Sequence, residues 1–143
     1  MKRPDKVIDE EVIFDGGALL SETDTAGKLL YVNRKFCEMS GYTKDEVLGR
    51  SHSILRHPDM PKKAFSDLWS TIKKGERWSG YVKNLRKDGK YYWVIVDIIP
   101  KLDDAGDIIG YMASRKVPDS SFESTKVHYQ QLLQAEEKSS PIA

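Results

Sequence analysis

Hydrophobic and polar positions change rhythm repeatedly along this chain, and the changes mark out its elements. Up to about residue 15, charges are mixed with Val7, Ile8, Val12, Ile13 and Phe14 in no sustained period, which fits an arm or short helix that docks on something. Residues 18–23 and 28–32 read as two short strands, and Asp24-Thr25-Ala26-Gly27 between them has turn chemistry, so a hairpin is predicted. Asn33 suits a helix N-cap; Phe36, Cys37, Met39 and Ser40 follow in a short helix that Gly41 stops. Thr43-Lys44-Asp45-Glu46 is a capping-box pattern for a further helical turn that ends at Gly49. Pro61 fits the first position of a longer helix through Lys74, in which Ala64, Phe65, Leu68, Trp69 and Ile72 share one face.

Strand-like patterning then takes over in residues 77–86, 90–102 and 107–117, joined by Asp88-Gly89 and by Asp103-Asp104-Ala105-Gly106. Ser120-Ser121-Phe122-Glu123 offers a second capping box, and Phe122, Lys126, Tyr129, Leu132 and Leu133 make an amphipathic stripe. Segregated strands and helices predict an α+β fold: a five-stranded antiparallel sheet with helices on one face, plus a C-terminal amphipathic helix. The expected division is an arm at 1–17, a body at 18–117, the terminal helix at 118–138 and a loose tail at 139–143. The helix stripe could serve a homodimer, a separate partner or the domain's own sheet.

Composition narrows the function. A chain of 143 residues with 39% hydrophobic and 31% charged positions has the profile of one ordinary soluble domain. Acidic and basic residues nearly cancel, 22 against 23, which removes the nonspecific attraction to phosphate backbones and argues against DNA or RNA as a partner. No apolar run approaches the roughly 20 residues that span a bilayer, and no secretory apolar core follows the first residues, so a cytoplasmic location is expected. Cys37 stands alone, which excludes an internal disulfide and fits a small buried apolar side chain. No phosphate-binding glycine loop, nucleophile elbow or spaced metal-ligand set is present, and the expectation is a protein that is not an enzyme.

Tyr31-Val32-Asn33, Phe36, Ser40-Gly41-Tyr42 and Glu46-Val47-Leu48-Gly49 resemble the general signature of the PAS fold. A more specific likeness lies in Arg56-His57-Pro58-Asp59-Met60-Pro61, followed by Ala64-Phe65, Trp69, Lys73-Lys74-Gly75-Glu76, Trp78-Ser79-Gly80, Val82-Lys83-Asn84, Arg86-Lys87 and Tyr92-Trp93-Val94. This combination is similar to the FAD-binding sensory domain of bacterial aerotaxis and energy-taxis receptors, over about residues 18–117. Those receptors continue into a membrane anchor and a signalling domain. The present chain resembles the two-protein version, in which a lone PAS protein serves a separate membrane-bound chemoreceptor-like partner of the methyl-accepting type. That resemblance implies a position at the inner membrane's periphery through the partner. The early helix, Arg34 to Met39, matches only loosely, and no contact is carried over to it.

The resemblance implies FAD, whose isoalloxazine ring needs apolar walls and a few donors and acceptors for its pyrimidine edge. Alternation along residues 77–86 puts Trp78, Gly80, Val82 and Asn84 on one face, and an amide there can complement the ring's imide edge. Asn84 is otherwise a strand-end residue satisfied by backbone. Trp78 is a wall of the ring or a core aromatic. Arg56 suits bidentate contact with the pyrophosphate, aided by backbone donors at the start of the Pro61 helix. His57 donates to the cofactor or to Asp59, whose carboxylate would fix the tautomer, or simply holds the loop. The resemblance places Trp69 near the flavin, although its position on the helix also fits a core residue. Tyr111 alternates with Ile109 and Ala113 as core or second wall. His52 and His128 are expected at the surface.

The function these features imply is a redox or oxygen sensor that passes the state of FAD to a signalling partner. Two other classes remain open: a cofactor-free PAS interaction module, and a haem-based gas sensor with His52 or His57 as axial ligand. A photoreceptor fits poorly, because Lys35-Phe36-Cys37-Glu38 lacks the sequence around the reactive cysteine of flavin photoreceptors of this fold.

Overall fold

In the computed structural model, residue 4, residues 6–119 and residues 122–139 are described, with side chains through 137. Leu19–Thr23 (β1) and Leu29–Val32 (β2) form the predicted hairpin. Asp24 holds its turn, the carboxylate accepting from the backbone N–H groups of Ala26 and Lys28 at 2.9 Å each. Asn33 then does two things at once. Its Oδ1 accepts from Phe36 N–H at 3.0 Å to cap Arg34–Ser40 (α1), while Nδ2 donates to the Ala18 carbonyl at 2.9 Å and so ties the helix to β1. Gly41, at φ 81°, ends α1, and Thr43 with Glu46 closes a full capping box on Lys44–Val47 (α2).

A single 3-10 turn, His52–Leu55, follows where sequence patterning gave no element. The longest inner helix, Lys62–Lys73 (α3), starts one residue later than predicted, with Pro61 at its N-cap. The meander is Trp78–Leu85 (β3), Tyr91–Leu102 (β4) and Ile108–Lys116 (β5). Sheet order is β2-β1-β5-β4-β3, with every neighbouring pair antiparallel. Leu19, Leu29, Val32, Phe36, Val47, Leu55, Val82, Val94 and Val96 are buried between this sheet and α1–α3. Each such side chain contributes roughly 1.5–3 kcal/mol of hydrophobic stabilisation.

The last helix, Phe122–Ser139 (α4), uses its stripe on the domain's own sheet. Phe122 sits 5.5 Å from the Tyr81 ring and 5.0 Å from the Trp93 ring, on the face opposite α3. Tyr129 stacks on Trp93 at 6.4 Å and donates its hydroxyl to the Tyr81 carbonyl at 2.9 Å. Asp119, just before the helix, accepts from the Tyr81 hydroxyl. Near the far end, Glu136 accepts from the backbone N–H groups of Lys62 and Lys63 at 2.9 and 3.1 Å. It therefore caps α3, whose own N-cap, Pro61, supplies no side-chain cap. The capping box predicted at Ser120-Ser121 and the tail beyond residue 139 lie outside the described residues.

The N-terminal arm adds to the sheet rather than forming a helix. Ile8 N–H donates to the Gly89 carbonyl at 2.8 Å, Val12 N–H to the Tyr91 carbonyl at 2.7 Å, and Tyr91 N–H to the Glu10 carbonyl at 3.1 Å. This parallel pairing covers the first residues of β4, which β5 does not reach. Gly89 permits it: φ is 91°, and a Cβ there would run into the Lys6 carbonyl.

Because α3 is capped from α4, removing the carboxylate should loosen both helices. The substitution Glu136→Ala is expected to lower unfolding free energy by about 1 kcal/mol in urea denaturation. It should also speed amide exchange at Lys62 and Lys63; unchanged exchange there would show that the cap is not formed in solution.

Candidate cofactor-binding site

A cavity of about 470 Å³ lies between the inner face of the sheet and the layer formed by the 3-10 turn and α3. That is within the usual range for a small-molecule site. Strand alternation makes its floor: β3 turns Val82 and Asn84 inward, β4 turns Val96 and Ile98, and β5 turns Arg115. The opposite wall carries Phe65 and Trp69 from α3 and His52 and Arg56 from the 3-10 segment. Walls are thus largely apolar, with an amide and two guanidiniums opening on the space.

Local contacts hold these groups in place. The backbone of Arg56 forms an antiparallel bridge with Asn84, and its guanidinium lies 4.2 Å from the Phe65 ring centroid. Trp69 meets Tyr111 edge-on at 5.9 Å and His52 at 5.3 Å. Gly27 lets the hairpin turn approach this pair: a Cβ there would come within 3.0 Å of His52 and 3.2 Å of Trp69, at a φ of 86°.

Three of the predicted site residues, Arg56, Trp69 and Asn84, line the cavity. Tyr111 stands one layer back, beside a small adjoining space of about 30 Å³ that also touches Trp69 and Arg115. His57, Asp59 and Trp78 are not among the lining residues. His57 is 2% exposed, edge-on to Tyr91 at 5.8 Å, and its Nδ1 accepts from Asp59 N–H at 3.0 Å. This bond leaves the ring proton on Nε2, and the Asp59 carboxylate, 3.8 Å from Nδ1, is not what fixes the tautomer. Asp59 pairs instead with Lys83 Nζ at 3.1 Å, so both residues brace the link against β3. Trp78 folds back over Gly80, where a Cβ would come within 2.6 Å of the indole, and faces a shallow surface pocket shared with Tyr129.

The predicted backbone donors at the start of α3 are already occupied by Glu136. Arg56 and Lys62 line both the main cavity and an adjoining groove of about 340 Å³ bounded by Leu133 and Glu136. Cys37, half-buried on α1, does not line the cavity, and burial raises its thiol pKa. Among the described residues no group of three or more His, Cys, Asp or Glu could hold a metal ion.

Sequence patterning missed two groups. His52, expected at the surface, is partly buried against Trp69, and burial together with the charge of Arg115 brings its pKa down from 6.5 to about 4. It is neutral at physiological pH. Arg115 occupies an inward position on β5, in alternation with Tyr111 and Ala113, where an apolar residue is the rule. That breach of the pattern was visible in the sequence. Close by, the Tyr92 hydroxyl is wholly buried, forms no hydrogen bond of normal geometry, and has its pKa pushed up to about 12 chiefly by burial.

A histidine whose folded pKa is depressed leaves stability intact above its unfolded pKa and removes it as pH falls toward the folded value. Acid titration from about pH 6.5 to 4 should therefore cost up to about 3 kcal/mol through His52 alone. His52→Gln is expected to flatten that part of the stability profile in urea melts; an unaltered slope would mean that His52 protonates freely in the folded state.

The fold and cavity have known counterparts. The profile of a family described as PAS fold matches residues 29–114. Over 101 residues the chain is 48% identical to the aerotaxis receptor of Escherichia coli (strain K12), taking in 71% of this chain and 20% of the receptor. It is 30% identical over 97 residues to the nitrogen fixation regulatory protein of Klebsiella oxytoca, with 68% and 20% covered. The chain thus spans about a fifth of the length of these relatives. Among solved structures, the light state of the blue-light photoreceptor Aureochrome1 LOV superposes with a TM-score of 0.70 at 25% identity, covering 79% of this chain and 91% of that one. Strand order, the capped helices and the matched span agree: the chain belongs to the PAS family.

Proposed function

We propose that this chain is a sensory domain that holds FAD in the main cavity and conveys the cofactor's redox state to a separate signalling protein. The observation that carries the reading is Asn84: a carboxamide, 4% exposed, set among apolar walls with Arg56 bridged to its own backbone at the cavity mouth. An amide supplies one donor face and one acceptor, the complement of an imide edge. The Arg115 guanidinium, which lines the cavity and donates to Ser21 Oγ, adds further polar capacity. The likeness to the aerotaxis receptor and to light-oxygen-voltage domains supports a flavin.

When bound, the flavin would supply reversible two-electron chemistry; the chain's residues bind, orient and shield it. Phe65, Trp69, Val82, Val96 and Ile98 exclude water from the ring. Asn84 orients its pyrimidine edge. Arg56 and Lys62, which line both the main cavity and the groove toward α4, take the phosphates, and that second space is what favours the dinucleotide over a shorter flavin. As a sensor the domain turns over no substrate. A haem reading is weaker, because His57 packs outside the cavity and His52 is wedged against Gly27 and Trp69.

Output follows from β3. Asn84 faces the cavity, while Tyr81 on the same strand holds α4 through its carbonyl and its ring. A second surface for a partner is the open half of the outer sheet face, where Leu20, Tyr31, Ile99 and Met112 are exposed around a depression of about 330 Å³. The partner we infer is a membrane-bound chemoreceptor-like protein of the methyl-accepting type, which would hold the domain at the cytoplasmic side of the membrane. To respond, it must bind the two redox states with different free energies.

Protein purified from a flavin-replete host should be yellow, bleach with dithionite and release FAD on denaturation. Asn84→Ala should weaken FAD binding at least about tenfold, the loss expected for a buried amide's hydrogen bonds. A colourless protein that takes up no added FAD would sink the flavin reading and leave a cofactor-free interaction module.

A further inference from the structure

We propose that Arg115 is the fixed positive charge of the cofactor pocket and biases it toward the electron-rich form of the bound ring. The inference rests on the flavin reading of the cavity and goes beyond it in naming the residue that sets the redox preference. Arg115 is 7% exposed and lines both the main cavity and the small space behind it. Its Nη1 donates to Ser21 Oγ at 2.9 Å, and its Cζ lies 5.4 Å from the Phe36 ring centroid. Among the described residues no carboxylate lies within ion-pair distance of it. A guanidinium keeps its charge in any protein environment, so β5 carries a buried cation with one neutral hydrogen bond and one ring contact as compensation.

Such a group is costly. Removing a charge from water without a counter-charge costs several kcal/mol, and an apolar residue of similar volume is ordinarily more stable at such a position. The titratable groups facing Arg115 do not offset the cost: His52 is held neutral and the Tyr92 hydroxyl is protonated. The missing counter-group therefore has to come from what enters the cavity. Reduction of a flavin-type ring by dithionite, with two electrons passing to the ring and dithionite oxidised to sulfite, leaves one negative charge in the pocket when a single proton is taken up from solvent. Arg115, itself buried, meets that charge with less screening than a surface guanidinium would. The electron-rich form is then bound more tightly than the oxidised one.

The experiment compares the FAD-loaded wild-type chain with Arg115→Gln, Arg115→Met and Arg115→Lys. The midpoint potential of bound FAD is read by dye equilibration during dithionite titration, and the melting temperature is read on the same chains stripped of FAD. Removing the charge should weaken the preference for the reduced form at least tenfold, a fall of about 30 mV for a two-electron couple. Arg115→Lys should recover most of that shift. Stripped Arg115→Met should melt at or above the wild type, because a buried charge has been removed. An unchanged potential in FAD-loaded Arg115→Gln overturns the proposal and leaves the flavin reading intact. A stripped Arg115→Met that melts well below wild type also overturns it, making Arg115 a structural tie between β5 and β1. Failure of the wild type itself to hold FAD sinks the flavin reading and this inference together.

Discussion

The unpaired edge of β3 is the constraint that organises the functional half of this domain. As the last strand in the order β2-β1-β5-β4-β3, it would leave a row of backbone donors and acceptors open. Two segments, the link before α3 and α4, meet that need through three contacts. Arg56 bridges Asn84, Lys83 N–H donates to Met60 Sδ at 3.3 Å, and the Tyr129 hydroxyl reaches the Tyr81 carbonyl. The same pairings that protect the edge bring the charged link to the cavity mouth and fasten α4 to the sheet. Cavity, mouth and terminal helix are thus attached to one four-residue stretch of a single strand, Tyr81 to Asn84.

That dependence explains which parts could be read from sequence. Asn33, Gly41, Thr43 and Glu46 work through partners a few residues away, so the helices they bound were legible. The strands were legible because their periodicity is local too, and alternation on β3 correctly put Val82 and Asn84 on the cavity face. The surroundings of His57 and Asp59 were not legible because they are set across the chain, by Tyr91 and Lys83. Glu136 capping α3 spans 74 residues, and no local signal announces it. Arg115 and the arm's pairing with β4 belong to the same class, although an arginine in an inward strand position was a visible breach of pattern.

Electrostatics inside the domain follow one logic. The charge of Arg115 joins burial in suppressing protonation of His52, so His52 adds no charge to the pocket over the physiological range. A buried guanidinium without a carboxylate partner among the described residues breaks a local rule, and such breaches are common at functional sites. On the proposed FAD reading, the phosphates would instead meet Arg56 and Lys62, which line both the cavity and the adjoining groove, where water remains available and charge is cheap. The inner pocket and the groove mouth would therefore differ in kind if a flavin binds: one would discriminate between states of the ligand, the other retain it.

Transmission then depends on how firmly α4 is held. Its attachments are a hydrogen bond from Tyr129, the Glu136 cap and the aromatic contacts of Phe122 and Tyr129 with Tyr81 and Trp93. Each such contact is worth roughly 1 kcal/mol. Coupling free energies between sites are typically about 1–3 kcal/mol, which is comparable with any two of these contacts and smaller than the core that holds the sheet. A displacement of β3 at Asn84 can therefore change the docking of α4 without disturbing β1, β2 and β5. Those strands carry the exposed patch of Leu20, Tyr31, Ile99 and Met112 together with neighbouring β4, away from the edge where the helix is held. If the proposed redox reading holds, separating a fixed face from a lightly held helix on the opposite edge of one sheet would let the domain stay bound to a partner in both redox states and still signal the difference.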